Sequence, residues 1–340
     1  SKAKKYHGNE EEMDKVPSTP EQIQNLGFRK ITLRGMISNG SVPKHSEQEW
    51  KTLACDRWPY ALRYSNFKVS QQPTAREVAH IIDRFRSKVS PCSKDLCDLK
   101  SFYDNIFSVS QSDAHTALDS KYPEDYTWRE LYIKLDVEEE LLLLNLSEDV
   151  KGFYGLLDVV AEDIRVLMIF LTEADKIKSR YHYIVKCLEK MKNLKVLNLF
   201  QNSVTEIPTK CLGSIYKGLQ NFETAGGQLE AISIENITIG TTNEDIQFIS
   251  KIAGLIENVK SIAIIRSNLL QDKVGSFFCN FIIQNTKLSE LHLEDCINSD
   301  KIAAVIADGL MRNKRIQTVK IINSTASHVS LGSIIYNLAF

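Results

Sequence analysis

His292 has a glutamate two residues to either side, Glu290 and Glu294, and on a β-strand that spacing turns all three side chains to one face. Two carboxylates around an imidazole are donors fit for a metal ion or for a polar contact patch, and the patch is the reading favoured here. Other chemistry is thinly represented. The seven histidines show no HExxH spacing, and there is no GxxxxGKS/T or GxGxxG run to cradle a phosphate. Serine and cysteine nucleophile motifs are missing too. Cys55, Cys92, Cys97, Cys187, Cys211, Cys279 and Cys296 are scattered, and the pair Cys92 and Cys97 has no second pair to complete a tetrahedral zinc site. Their odd number and apolar neighbours suit reduced thiols in a cytoplasmic compartment. The expectation is a protein that is not an enzyme and uses no cofactor, metal or small-molecule substrate.

The elements that would position His292 belong to an internal repeat. The spacing L-x-x-L-x-L, which sends three apolar side chains inward from a strand, recurs as Ile164/Leu167/Ile169, Leu194/Leu197/Leu199, Leu229/Ile232/Ile234, Val259/Ile262/Ile264, Leu288/Leu291/Leu293 and Ile316/Val319/Ile321. The starts at 164, 194, 229, 259, 288 and 316 are separated by 30, 35, 30, 29 and 28 residues, long enough for a strand, a turn, a helix and a second turn. A weaker seventh match begins at Leu141 with Leu144 and Leu146. Between strands, Ile302, Val305, Ile306 and Leu310 follow a Ser299 or Asp300 cap at helical spacing, as do Ile246, Ile249, Ile252, Ala253 and Ile256. Asn258, Asn285 and Asn313 lie at the helix exits, where asparagine tolerates a left-handed residue. Cys296 and Asn202 take the ladder position after the strand and read as structural, and Gly226-Gly227 reads as a turn. The predicted class is α/β: a leucine-rich-repeat solenoid over 138–340 with a mainly helical N-terminal capping region. Over about 200 residues the pattern resembles the ribonuclease-inhibitor-like class of leucine-rich repeats, whose members include inhibitors, GTPase activators and axonemal scaffolds. That resemblance implies an architecture and leaves function open.

Ahead of the repeats, residues 1–20 are polar and read as a flexible lead-in, and 21–137 as the cap. Phe28 to Leu33 alternates like one short strand. Trp50 and Trp58 lie eight apart, on one side of a helix, and are expected to pack on the first repeat, because an open solenoid end exposes apolar core. Residues 71–120 read as an inserted segment with helical patterns at Val78–Phe85 and Leu96–Phe107. Trp128-Arg129-Glu130-Leu131-Tyr132 is again helical. The order of Trp50-Lys51, Arg57-Trp58 and then Trp128 to Tyr132 before repeats is similar to the T-complex-associated testis-expressed protein 1 family, the leucine-rich-repeat subunit of the ciliary nexin–dynein regulatory complex. The resemblance implies a non-catalytic subunit of a cytoskeletal, axonemal assembly in the cytoplasm or cilium. The long insertion departs from that family's pattern.

The outward strand positions predict where partners would touch. One row is Phe170, Phe200, Glu235, Ile265, Glu294 and Ile322, and its neighbour is Met168, Asn198, Ser233, Ala263, His292 and Lys320. Two phenylalanines and two isoleucines in an exposed row point to protein contact, with Trp50 and Trp58 as a second contact region. The alternative is that the insertion or a terminal segment folds over this surface. A net charge of −1 and a pI near 6.7 leave no field for nucleic acid, and the short basic runs at 2–5 and 312–315 read as solvated surface. No apolar run approaches a membrane span. Two rival functions remain: a GTPase-activating protein, which needs an arginine early in the array and an acidic tail, and a ubiquitin-ligase substrate adaptor, which needs a helix for an F-box partner.

Overall fold

The computed structural model describes residues 32–37, 40–58, 74–88, 122–144, 150–171, 180–201, 206–207, 209–255, 258–270, 275 and 280–339. Each of the six apolar triplets ends in a strand: β1 (Val166–Leu171), β2 (Val196–Gln201), β3 (Ala231–Glu235), β4 (Ser261–Ile265), β5 (Glu290–Glu294) and β6 (Thr318–Ile322). They form one sheet in the order β1-β2-β3-β4-β5-β6, every pair parallel. Parallel neighbours require a crossover, and helices supply it: Arg180–Lys190 after β1, Thr209–Thr224 after β2, Asn243–Leu255 after β3 and Asp300–Arg312 after β5, with His328–Ala339 following β6. Between β4 and β5 the backbone is helical at 280–284. The chain is thus an α/β fold whose six-stranded parallel sheet alternates with helices.

The pairing register aligns like with like. Leu167, Leu197, Ile232, Ile262, Leu291 and Val319 stand side by side, as do Ile169, Leu199, Ile234, Ile264, Leu293 and Ile321. All of them lie in or against the main core, together with helix residues such as Leu188, Leu219, Ile249, Ile306 and Leu310. A slip of one residue would turn every one of these side chains out of that core, which is why the register is so regular.

Two further devices recur once per repeat. The residue that follows each of the last four strands is left-handed: Asn236, Arg266, Asp295 and Asn323 have φ between 47° and 55°. One position on, Ser267 Oγ donates to the Ile265 and Ile234 carbonyls and accepts from Ile237 N, and Cys296 Sγ contacts the Ile264 carbonyl oxygen at 3.6 Å. The ladder reading of Cys296 therefore stands; Asn202 lies outside the described residues. The helix-exit asparagines act differently from expectation, since none has positive φ. Asn285 and Asn313 instead use their amides: Asn313 Nδ2 donates to the Ile282 and Asn285 carbonyls (2.7 and 2.9 Å) while its Oδ1 accepts from Arg315 N, and Asn285 Oδ1 accepts from Lys287 N and Leu288 N. Side-chain bonds thus stitch one repeat to the one before. Gly226 is left-handed at φ 88°, the turn expected of the Gly-Gly pair.

The N-terminal region departs from the sequence reading in two places. Leu141 and Leu144 do not open a seventh strand; they end the helix Trp128–Leu144, because the run from Trp128 contains strong helix formers and no breaker. Leu33 opens the helix Leu33–Met36 behind a Thr32 cap rather than closing a strand, and 28–31 lie outside the described residues. The helix Ala75–Lys88, at the start of the 71–120 segment, packs into the core, where Val78, Ala79 and Ile82 are buried. The second helical pattern, Leu96–Phe107, lies outside the described residues.

Candidate functional site

The cap is built on one helix buried on all sides. Every residue from Leu131 to Glu139 in Trp128–Leu144 is buried, and this span includes Lys134, Asp136, Glu138 and Glu139. Such charges require partners. Lys134 Nζ lies 2.9 Å from both Asp83 Oδ1 and Glu138 Oε1, and Tyr122 OH donates to Asp83. Arg57, the last residue of Glu47–Arg57, pairs with Asp136 and, at 2.6 Å, with Glu139, and also reaches Tyr132 OH at 3.2 Å. Burial alone would lower the Arg57 pKa, but Asp136 and Glu139 raise it above its ordinary value. Burial pushes the Asp136 carboxyl up to about 6, against the pull of Arg57 and of the Leu33 N–H.

Trp50 and Trp58 flank the Tyr132 ring, with centroids 5.3 and 5.0 Å away. Both are buried, so the tryptophan helix docks on Trp128–Leu144 and not on the first repeat. The expectation of a Trp50–Trp58 contact surface for partners is corrected accordingly: these side chains are occupied inside the cap. Trp128–Leu144 in turn closes the free edge of the sheet, where Glu138 Oε1 accepts the β1 amide of Met168 at 2.8 Å. An unpaired strand edge invites foreign pairing, and here a buried carboxylate takes the place of a neighbouring strand.

The far face of the sheet, away from the repeat helices, carries the two rows named from the sequence. The register places Phe170, Phe200, Glu235, Ile265, Glu294 and Ile322 side by side, and beside them Met168, Asn198, Ser233, Ala263, His292 and Lys320. Their exposure differs from expectation. Phe170, Phe200, Glu235 and Ile265 are buried, as are Met168, Asn198, Ser233, Ala263 and His292; only Glu294, Lys320 and Ile322 are half-buried. Phe170 and Phe200 meet edge to face at 5.8 Å. Met168, Phe170, Phe200, Ala263 and Ile265 are buried yet lie outside the main core cluster. The open part of this face is therefore its β5–β6 end.

Polar groups concentrate in the middle. Glu235 Oε1 accepts from Asn198 Nδ2 and Ser233 Oγ, both at 2.7 Å. His292 Nε2 stands 3.6 Å from Glu294 Oε2, so Glu290, His292 and Glu294 share a face as predicted. They do not converge as ligands: among the described residues no three His, Cys, Asp or Glu side chains could hold a metal ion. Arg266 joins this group from the left-handed turn after β4. Burial lowers its pKa while Glu235, Glu294 and Asp295 counter the shift. Sequence reasoning missed Arg266, although the signal was present: three of the four left-handed turns use Asn236, Asp295 and Asn323, and Arg266 breaks the pattern at the same spacing.

No protein-family model matches this chain, and no curated protein gives a significant match.

Proposed function

We propose that this chain is a leucine-rich-repeat protein that holds other proteins without transforming them: a scaffold or adaptor subunit of a cytoskeletal assembly, with an axonemal nexin–dynein regulatory complex as its specific setting. The repeat class is supported by strand-and-helix units of 28 to 35 residues whose inward triplets share one register. The observation that carries the binding reading is the far sheet face, where two aligned rows of side chains stand apart from the main core. Because Phe170, Phe200 and His292 are buried, the contact centres on the half-buried Glu294, Lys320 and Ile322.

The axonemal setting rests on the motif order Trp50-Lys51, Arg57-Trp58 and Trp128 to Tyr132. Its members meet in one place, Arg57 and the two indoles around Tyr132, so the motif reads as the signature of a shared cap. The GTPase-activating alternative needs an uncommitted arginine early in the array. Among the described side chains there, Arg129 is paired with Asp163 and Arg165 with Glu130, which favours the scaffold.

Co-purification of the tagged full chain, with mass spectrometry of what accompanies it, tests the setting. Microtubule-doublet or dynein-regulatory proteins are expected. Recovery of a small GTPase or of ubiquitin-ligase subunits alone overturns it.

A further inference from the structure

The last unit of the array presents a surface unlike the rest of the molecule. Four large apolar side chains stand exposed among the described residues. Val329 (81%), Ile335 (68%) and Tyr336 (64%) lie on the final helix, His328–Ala339, and Met311 lies in the last turn of the helix before it. One exposed apolar residue is ordinary, but several gathered on one element mark a surface that meets a partner. The final helix also carries no Asp, Glu, Lys or Arg in its 12 residues, whereas Asp300–Arg312 beside it carries Asp300, Lys301, Asp308 and Arg312. An end unit that faces water needs a polar outer side, and this helix has no charge to supply one. The adjoining sheet edge is open in the same way: Val319 and Ile321 on β6 are half-buried where their register partners Leu291 and Leu293 are buried. Among the described residues no strand pairs with the outer side of β6.

Spacing along the helix says what can cover it. Val329, Gly332, Ser333 and Tyr336 fall at i, i+3, i+4 and i+7, one line along a helix, and all four are exposed. Ile334, on the opposite side, is buried at 1%. The line reads large, small, small, large about a centre between Gly332 and Ser333, and that order is its own complement. In an antiparallel crossing of two copies about a twofold axis through that centre, Val329 of each copy meets Tyr336 of the other, and Gly332 meets Ser333. The small pair forms a waist where the helix axes can close to about 8 Å, the near end of the usual packing range. A Cβ built on Gly332 would have no neighbour within 4 Å, so this chain leaves the waist open. A twofold contact sets each surface against itself, and any charge beside the axis would face its own copy. An uncharged helix avoids that repulsion, and charge-poor, apolar surfaces are what copies of one chain use to join.

We propose that the final helix is a self-association surface: two copies of this chain join through His328–Ala339, crossing antiparallel at Gly332 and Ser333, with Val329, Ile335 and Tyr336 closed around the axis. The pair carries two far sheet faces in one particle, so a partner with two sites is retained by effective concentration. Self-association does not depend on the scaffold reading and stands or falls separately from it.

Sedimentation equilibrium of the full chain, over a concentration series reaching about 100 μM, tests the inference. The mass is expected to rise from one chain to two along the series. Ser333→Glu fills the waist and sets two carboxylates beside the axis, and should weaken association about tenfold or more. Glutamate is a better helix former than serine, so the circular dichroism of that variant should match the parent. A photo-cross-linking residue in place of Val329 gives a second readout that needs no loss of binding: the expected adduct joins position 329 of one copy to residues 333–336 of the other. A single-chain mass at every concentration, a dimer indifferent to Ser333→Glu, or an adduct from position 329 that maps away from the second copy's final helix overturns the inference.

Discussion

Replacing Arg57 by Met should be among the most damaging single changes to this chain. The guanidinium is the counter-charge of two carboxylates, Asp136 and Glu139, whose side chains are 0% and 4% exposed, and it also bonds Tyr132 OH. Removing one partner of a buried ion pair costs about 3–5 kcal/mol, because the other charge stays desolvated. Set against a total stability of about 5–15 kcal/mol, that is a large share of the fold. Urea unfolding followed by circular dichroism should show the loss as a lower midpoint at unchanged slope. The triple change Arg57→Met, Asp136→Leu, Glu139→Leu should recover most of it, since apolar replacement of a whole buried ionic group is often neutral or better. A residual deficit of about 1–3 kcal/mol remains from the Leu33 N–H that loses Asp136. A loss below about 1 kcal/mol in Arg57→Met, the size of an exposed ion pair, would refute the reasoning.

Other expectations follow from the same geometry. Asp136 has a folded pKa of about 6, above its ordinary 3.8, so the folded chain keeps a proton that the unfolded chain gives up between those values. Its contribution to stability is full below about pH 4 and falls away as pH rises through about 6, by about 3 kcal/mol; Asp136→Asn should flatten that slope in a pH series of urea midpoints. Leu291→Asp places an unpaired charge in the core and should abolish the cooperative transition. Asn313→Ala removes the ladder between consecutive repeats and should cost about 1–3 kcal/mol, measured as a fall in thermal midpoint. Arg266→Asn relieves a strained left-handed residue and should gain about 1 kcal/mol; a destabilised variant would contradict the strain.

The repeats were legible because their signal is redundant. Six triplets at near-constant separation place Leu291 and Leu293 inward whatever the local propensity, and the two outward rows follow from the alternation of a strand. Exposure of those rows was not legible: a pattern names the face a side chain is on and not what lies over it, so Phe170 and Phe200 were expected in solvent and are buried. Leu141 and Leu144 imitate the start of a repeat because i, i+3 apolar spacing also suits a helix, and only the unbroken run from Trp128 resolves the ambiguity. The buried charges of Trp128–Leu144 were illegible for a related reason. Lys134, Asp136 and Glu138 look like a solvated face until Asp83 and Arg57, distant in sequence, are brought beside them.

The central claim is that the far sheet face, at its β4–β6 end, holds a protein partner. It is tested most directly by placing a photo-cross-linking residue at Ile322 in one version of the full chain and at Lys301, exposed on the helix Asp300–Arg312, in another, and irradiating the native assembly. The account predicts a discrete partner adduct from position 322 and none from position 301. Adducts from position 301 alone would place the partner on the helices and contradict it.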